Sequence, residues 1–138
     1  MAELDYAFLA DYADVTGGKL TVVGGSWTHL FAATVPIPRL ISVAGRVTAL
    51  DGHEPIHAEV QLVPPDESFK IQISIDLVQG PDTLPYGTGA ARKLGHLFAA
   101  QITVPITVYG LYQVLILLDG EQVRRLAFEV AEPPIPGE

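Results

Sequence analysis

Two stretches of the sequence decide the fold: residues 56–62, IHAEVQL, and residues 69–77, FKIQISIDL. In both, apolar and polar residues alternate with a period of two, which is the pattern of a β-strand with one buried and one solvated face. Asp51-Gly52 precedes the first stretch. Because Asp-Gly beside an apolar run is a strong hairpin signal, these segments predict half-buried strands of an antiparallel protein.

Further strand candidates extend this pattern along the chain. They are residues 4–12, 20–27, 41–50, 98–104, 112–118 and 122–130. Gly17-Gly18 and Asp119-Gly120 provide turns between them, and most of the eleven prolines, including Pro38 and Pro105, are expected between strands, where no ladder hydrogen bond is lost. Residues 89–100 are the exception, since Ala90, Ala91, Leu94 and Leu97 could form a short turn of helix.

The pattern predicts an all-β fold, a two-sheet antiparallel sandwich of about eight strands. Its closing hairpin, Gly110-Leu111-Tyr112 followed by Asp119-Gly120, looks immunoglobulin-like, and in such sandwiches a tyrosine at this place bonds back to the backbone. The expected core consists of Val60, Leu62, Phe69, Ile71, Ile73, Ile75, Tyr112, Val114 and Ile116. Residues 1–131 are predicted as a single β-sandwich domain, and residues 132–138, EPPIPGE, as a Pro-rich C-terminal tail.

Several short motifs also carry a family resemblance. They are residues 8–12 (FLADY), residues 17–20 (GGKL) with Gly24-Gly25, the Pro36-x-Pro38 step, and residues 109–112 (YGLY) with Asp119-Gly120. Through them the chain resembles, over nearly its full length, an uncharacterised family of short, mostly actinobacterial proteins, classed as a domain of unknown function. The resemblance implies one small β-domain in a bacterial cytoplasm, and it carries over no functional residue.

Composition excludes some functions and favours others. The formal charge of −8, with eight Lys and Arg, has the wrong sign for nucleic acid. The chain has no cysteine, which fits a reducing compartment. The first residues lack the basic and apolar regions of a secretory signal, and no apolar run approaches the length of about 18 residues that a membrane span needs. We therefore expect a cytoplasmic protein with neither nucleic acid nor membrane as partner.

A low content of charge points to self-association. Charged residues make up 17% of the chain, against about 25% in typical proteins, so apolar surface remains exposed unless another surface covers it. On residues 112–118 the outward-facing set contains Leu115 and Leu117, where polar residues are expected. The two leucines are the candidate interface of a homo-oligomer. Their cover is either a second copy of the chain or the segment 80–96 folded back over its own sheet.

Three groups of residues contain side chains that are common in metal or ligand sites, but none of them predicts such a site here. His53-Glu54-Pro55-Ile56-His57 has the letters of the zinc-protease motif H-E-x-x-H, but Pro55 breaks a helix, and in a strand the two histidines lie roughly 13 Å apart, so we expect two exposed hairpin histidines and no metal. The acids Asp5, Asp11 and Asp14 lack the spacing of a cation site. Trp27 is expected to be a core anchor rather than a platform for sugar stacking.

The longest irregular stretch, residues 79–97, is the remaining candidate site. Its candidate ligand-binding residues are Tyr86, Arg92, Lys93 and His96, although the sequence matches no phosphate-binding pattern. Two functions stay open: a non-enzymatic protein-interaction or self-assembly module, and a small-ligand or carbohydrate binder that uses this loop. We predict no catalytic residue, no cofactor and no enzymatic activity, and a protein partner besides the second copy is left open.

Overall fold

The computed structural model describes residues 2–81 and 83–134, which form nine strands and one turn of 3-10 helix. The strands are β1 (Glu3–Thr16), β2 (Lys19–Gly25), β3 (His29–Phe31), β4 (Ile37–Leu50), β5 (Ile56–Val63), β6 (Ile71–Leu77), β7 (Lys93–Ile106), β8 (Gly110–Leu118) and β9 (Glu121–Ala131). The 3-10 turn spans Gly89–Ala91. In the described part of the chain no helix is long and apolar enough to cross a membrane.

The strands form two sheets that pack face to face. One sheet has four strands in the order β2-β1-β4-β7, and the other has five in the order β3-β9-β8-β5-β6. The predicted all-β sandwich is confirmed, with one short exception to its antiparallel pairing: β3 runs parallel to β9. This three-residue strand is also the one that the sequence did not predict, because three residues are too few to show a period.

A single large apolar cluster joins the sheets. Val43 and Ile102 contribute to it from the four-stranded sheet, and Val60 and Ile116 from the five-stranded one. The predicted core is confirmed for Val60, Leu62, Tyr112, Val114 and Ile116, which are buried. Phe69, Ile71, Ile73 and Ile75 pack against the cluster but remain partly exposed. Phe69 precedes β6, and the three isoleucines belong to β6, which ends its sheet beside β5.

Tyr112 forms the corner that the sequence predicts. Its hydroxyl donates a hydrogen bond of 2.8 Å to the carbonyl of Val108 and accepts a longer one, 3.4 Å, from the N–H of the same residue. The fully buried ring stacks on Phe128 with 5.3 Å between ring centroids. The corner therefore fixes the entry of β8 to the hydrophobic core, as in immunoglobulin-like sandwiches.

The predicted helical turn over residues 89–100 is wrong beyond Ala91. β7 begins at Lys93 and pairs with β4 without a register shift as far as Ile106. Leu94, the first buried residue of this strand, thereby faces the interior. The long pairing partner decides the conformation here, because tertiary context overrides the weak helical preference of an Ala-containing segment.

Pro38 and Pro105 lie within strands rather than between them, as a second correction. They occupy directly opposite positions of β4 and β7. Tyr86 and Lys93 exchange two backbone hydrogen bonds, so the backbone of Lys93 points away from β4. The direction of the backbone N–H and C=O groups alternates along a strand, so Pro105, twelve residues after Lys93, also directs its backbone away from β4. The N–H that Pro105 lacks would therefore not bond to β4, and no hydrogen bond between the two strands is lost.

The hairpin of β1 and β2 folds over the outer face of the four-stranded sheet. Beyond Ala10, β1 no longer pairs with β4 and continues with β2 alone. Ala13 of this hairpin packs with Ala44 of β4 and Ala99 of β7 in a second, smaller apolar cluster. Small side chains on the sheet allow this close approach, and the hairpin tip at Gly17 thereby reaches the edge of β7.

Candidate functional site

A groove of about 750 Å³ runs beside the first half of β7. Three segments line it. They are the hairpin tip (Val15, Gly17, Gly18), the loop residues Thr83 and Leu84, and the strand residues Gly95, His96 and Leu97. None of these residues is Asp, Glu, Lys or Arg, so the groove offers a ligand backbone groups, apolar side chains and the polar side chains of Thr83 and His96.

His96, one of the residues that line this groove, forms a pair with His53. The Nε2 atoms of His53 and His96 are 2.7 Å apart, and the rings meet edge to face with 4.9 Å between centroids. His53 belongs to the turn between β4 and β5, and His96 to β7. His53 is therefore partly buried, which corrects the expectation of an exposed hairpin histidine.

The hydrogen bonds of the pair limit its protonation. Nδ1 of His53 lies 2.5 Å from the carbonyl oxygen of Glu54, which can only accept, so Nδ1 carries a proton. A bond between the two Nε2 atoms then needs one nitrogen without a proton, and both rings cannot be charged while it persists. Burial lowers the pKa of His96, and the neighbouring His53 lowers that pKa further.

The four predicted ligand-binding residues of the loop do not converge. Tyr86 and Lys93 are joined by their backbones, and both side chains are exposed. Arg92 donates a hydrogen bond of 3.1 Å to the carbonyl of Pro85, which fixes the loop on itself. Of the four, only His96 lines the groove.

The outward face of the five-stranded sheet carries the candidate interface. Leu115 and Leu117 stand outside the core cluster and are half-buried. Leu115 lies opposite Gln61 on one side and Arg125 on the other. Leu117 lies opposite Glu59. The two leucines thus form a short apolar row between polar side chains of the neighbouring strands.

The segment considered as an alternative cover for these leucines approaches the other sheet. Its residues Thr83 and Leu84 line the groove with the β1–β2 hairpin and with β7. Both of those elements belong to the four-stranded sheet. This placement argues against the chain's own loop as the cover of Leu115 and Leu117.

His57 lies on the same outward face and bridges two carboxylates. Its Nδ1 is 3.0 Å from Asp76 and its Nε2 is 3.1 Å from Glu59. The hydrogen bond to Asp76 raises the pKa of His57, with a smaller contribution from Glu59. The two histidines of the HEPIH segment therefore have separate partners, and among the described residues no three His, Asp or Glu side chains form a group that could hold a metal ion.

Asp5, Asp14 and Trp27 each contact other residues of the fold. Asp5 forms an ion pair with Arg46, and Asp14 accepts a hydrogen bond of 2.8 Å from Thr16. Trp27 packs edge-on against the buried Phe128 at 5.5 Å between centroids and adjoins the core, as expected of a core anchor. Its indole N–H is buried and has no hydrogen-bond partner within the described part of the chain.

The sequence does not predict two groups of hydrogen-bonded polar residues. One is the pair His53 and His96, which are 43 residues apart. The other joins Ala13, Ser42 and Gln101 through three hydrogen bonds. The only signal in the sequence is the presence of polar residues at inward or covered positions of strands, which can be recognised only once the register of the sheet is known.

Fold and corner together define an all-β sandwich of immunoglobulin-like type. A family model matches residues 5–131, and the chain belongs to this family, which is described as a family of unknown function (DUF6941). Among solved structures, the chain is similar to an immunoglobulin-like protein from Pseudomonas aeruginosa, with 14% identity and a TM-score of 0.49 over 95% of this chain and 97% of the other. No curated protein matches.

Proposed function

We propose that this chain is a non-enzymatic protein-interaction module that associates with further copies of itself. The observation that carries the proposal is the apolar surface of the described residues, where eleven large hydrophobic side chains are more than a third exposed. They are Tyr12, Val15, Val22, Val23, Phe31, Leu40, Leu50, Val78, Leu84, Tyr86 and Leu111. Surfaces of this kind in a chain poor in charge favour association.

Leu115 and Leu117 remain the candidate contact predicted from the sequence. An apolar centre with polar neighbours such as Arg125 is the usual arrangement of a protein interface. Because both side chains are half-buried, they still have area to lose on association, and each would contribute less than the roughly 1.5–3 kcal/mol of a fully exposed leucine.

Light scattering and sedimentation equilibrium of the wild type, from low to high micromolar concentration, test the proposal. We expect a mass above that of one chain, and a constant single-chain mass would overturn self-association. Leu115→Glu combined with Leu117→Glu tests the surface, with Gln113→Glu on the same face as the matched control. Dissociation of the double variant alone, with native circular dichroism, supports the leucine row.

The groove beside β7, which His96 lines, favours a second candidate function, binding of a small uncharged ligand or carbohydrate. Its volume of about 750 Å³ is large enough for such a ligand. Titration of the protein with a panel of neutral mono- and oligosaccharides, followed by amide chemical shifts, tests this function. Saturable shifts confined to Thr83, Gly95 and Leu97 support it, and their absence at millimolar sugar argues against it.

The proposal includes a bacterial cytoplasmic setting, in mostly actinobacterial organisms. It is supported by a sequence without cysteine, which gains nothing from an oxidising compartment, and by the family resemblance of the motifs. Fractionation of cells that produce the protein at its natural level, followed by immunodetection, tests the location.

A further inference from the structure

A pocket of about 360 Å³ lies beside the beginning of β4. β1 pairs with β4 only as far as Ala10 and Ser42, and from there it continues with β2 alone. In the described part of the chain, residues 37–41 of β4 therefore pair with β7 on one side and with no strand on the other. Asp11 of β1 and Leu40 of β4 both line the pocket, which thus occupies the space where these two strands separate.

Arg39 brings a positive charge to this pocket. Its guanidinium group has five N–H donors, and one of them donates a hydrogen bond of 2.5 Å to the carbonyl of Phe31. Among residues 2–81 and 83–134, Arg39 makes no other side-chain hydrogen bond and no ion pair. One bond thus holds this partly buried side chain in place, and its remaining donors are available to an anionic group of a ligand.

Asp11 brings a negative charge to the same pocket. It is exposed, and within the described ranges its carboxylate forms no ion pair with Arg39 or with any other residue. Two opposite charges on the wall of one pocket match a ligand that carries both signs. An anion alone would be repelled by Asp11 and by the net charge of −8, and a cation alone would be repelled by Arg39.

The rest of the wall is largely apolar and aromatic. Phe31 is 45% exposed and Leu40 is 54% exposed, and the Phe31 ring stacks on His29 with 6.1 Å between ring centroids. Trp27 also lines the pocket. An apolar group of a ligand would cover part of this exposed surface. The volume lies near the lower end of the roughly 300–1,000 Å³ that ligand pockets span, so the pocket suits a small molecule.

The backbone of Leu40 adds a hydrogen-bond donor and an acceptor. Lys93 directs its backbone toward Tyr86 and away from β4, and Leu50, which lies opposite Lys93, therefore directs its own backbone away from β7. This direction recurs at every second residue of β4, which pairs with β7 without a register shift. The N–H and C=O of Leu40 thus also point away from β7, toward the side that β1 has left.

We propose that this pocket binds a small zwitterion, an α-amino acid with an apolar side chain. The carboxylate of the ligand accepts hydrogen bonds from the guanidinium of Arg39, its ammonium group donates to the carboxylate of Asp11, and its side chain packs on Phe31 and Leu40. The inference is independent of the proposed self-association. The site is also separate from the groove beside β7, because no residue lines both.

The fluorescence of Trp27 measures the binding, because Trp27 is the only tryptophan of the chain and lines the pocket. L-phenylalanine should change its emission in a saturable manner. L-phenylalaninamide, which lacks the carboxylate, should bind about tenfold more weakly, since it loses the charged hydrogen bonds to the partly buried Arg39. N-acetyl-L-phenylalanine, which lacks the ammonium group, should bind about threefold more weakly or worse, because Asp11 is exposed and its ion pair is weaker.

Two variants assign each charge of the ligand to its partner. Arg39→Gln should bind phenylalanine and its amide equally, and Asp11→Asn should bind phenylalanine and its N-acetyl form equally. Arg124→Gln, at a partly buried arginine of β9, and Asp14→Asn, on the same hairpin as Asp11, are the matched controls outside the pocket and should bind like the wild type. Circular dichroism checks the fold of all four variants.

Two results would overturn the proposal. In the first, millimolar L-phenylalanine changes neither the emission of Trp27 nor the amide chemical shift of Leu40. In the second, Arg39→Gln and Asp11→Asn are folded and bind all three ligands like the wild type, which places the ligand elsewhere. Both results are obtained from ligand titration and do not depend on the mass of the protein in solution, so the failure of this proposal is distinguishable from the failure of self-association.

Discussion

Ser42 and Gln101 lie directly opposite each other on β4 and β7, and their side chains hold the backbone of Ala13 between them. The N–H of Ala13 donates to the Ser42 hydroxyl over 3.1 Å, this hydroxyl donates to Gln101 over 2.7 Å, and the Gln101 amide donates to the carbonyl of Ala13 over 2.6 Å. These three hydrogen bonds form a closed ring that attaches the β1–β2 hairpin to the outer face of the four-stranded sheet.

Removing the hydroxyl should loosen this attachment more than removing the amide. Ser42 is fully buried, so Ser42→Ala leaves the N–H of Ala13 without a partner or access to water and should lower the free energy of unfolding by about 1–3 kcal/mol. Gln101 is exposed, so water can replace its amide, and Gln101→Ala should cost about 0.5–1 kcal/mol.

Urea denaturation followed by circular dichroism measures this difference. Thr103→Ala, an exposed position two residues further along the same face of β7, is the control and should change stability by less than about 0.5 kcal/mol. Equal losses for Ser42→Ala and Gln101→Ala would show that the ring does not depend on the buried hydroxyl.

The sequence could predict the fold because its signals are local. Val60 in β5 and Ile73 in β6 sit in unbroken alternation, and Tyr112 follows a turn glycine at the start of β8. The sequence predicts the first half of β7 wrongly, because this half mixes Gly95 and Ala99 with leucines and shows no clear period before the buried side is known.

The features of the candidate site depend on contacts between distant parts of the chain. Ala13, Ser42 and Gln101 come from three strands, and His53 meets His96 only because the β4–β5 turn lies beside the beginning of β7. No spacing of residues in the sequence predicts such contacts. The pocket beside the beginning of β4 likewise follows from the place where β1 leaves β4, which a single sequence does not reveal.

Tyr112→Phe should destabilise the protein while leaving its core packing intact. The ring stays stacked on Phe128, but the carbonyl of Val108 loses its donor. We expect a loss of about 1–2 kcal/mol in the free energy of unfolding. Tyr86→Phe, at a half-exposed ring, serves as control and should be neutral within about 0.5 kcal/mol. Thermal and urea denaturation of both variants measure the effect, and a neutral Tyr112→Phe contradicts a stabilising corner.

Stability should fall below neutral pH through His96. Its pKa in the folded protein is lowered from the usual 6.5 by burial and by His53, so the unfolded chain binds more protons between the two values. The lowered pKa of His96 therefore contributes fully to the free energy of unfolding above pH 6.5, and this contribution is lost as the pH falls through the pKa of His96 in the folded protein. His57 acts in the opposite sense, because its raised pKa favours the folded state below 6.5 and this contribution disappears as the pH rises.

Two glutamine variants separate these effects. His96→Gln should flatten the fall in stability on acidification, and His57→Gln should steepen it. Urea denaturation between pH 5 and pH 8, the range in which histidines titrate, measures both slopes. The assignment to His96 is wrong if His96→Gln retains the slope of the wild type.

Two glycines of the four-stranded sheet should respond differently to the same methyl group. A Cβ at Gly45 would lie 2.2 Å from the carbonyl oxygen of Tyr6 and 3.0 Å from Cα of Ala7. Both contacts are with the backbone of β1, next to its register shift between Leu4 and Tyr6. Because the backbone cannot rotate aside, Gly45→Ala must push β1 from β4, and we expect a loss of about 1–3 kcal/mol or more.

Gly95→Ala is the matched control on the neighbouring strand. A Cβ there would meet the side chain of Arg46, with its Cδ at 3.2 Å, and this long, partly exposed side chain can move at little cost. Alanine is also better tolerated than glycine in a β-strand, because glycine has more backbone conformational entropy in the unfolded chain and loses more of it on folding. Gly95→Ala should therefore be neutral or slightly stabilising in urea denaturation, so the two variants should separate by at least about 1 kcal/mol. Equal effects would mean that β1 does not approach β4 at Gly45 as closely as the structure places it.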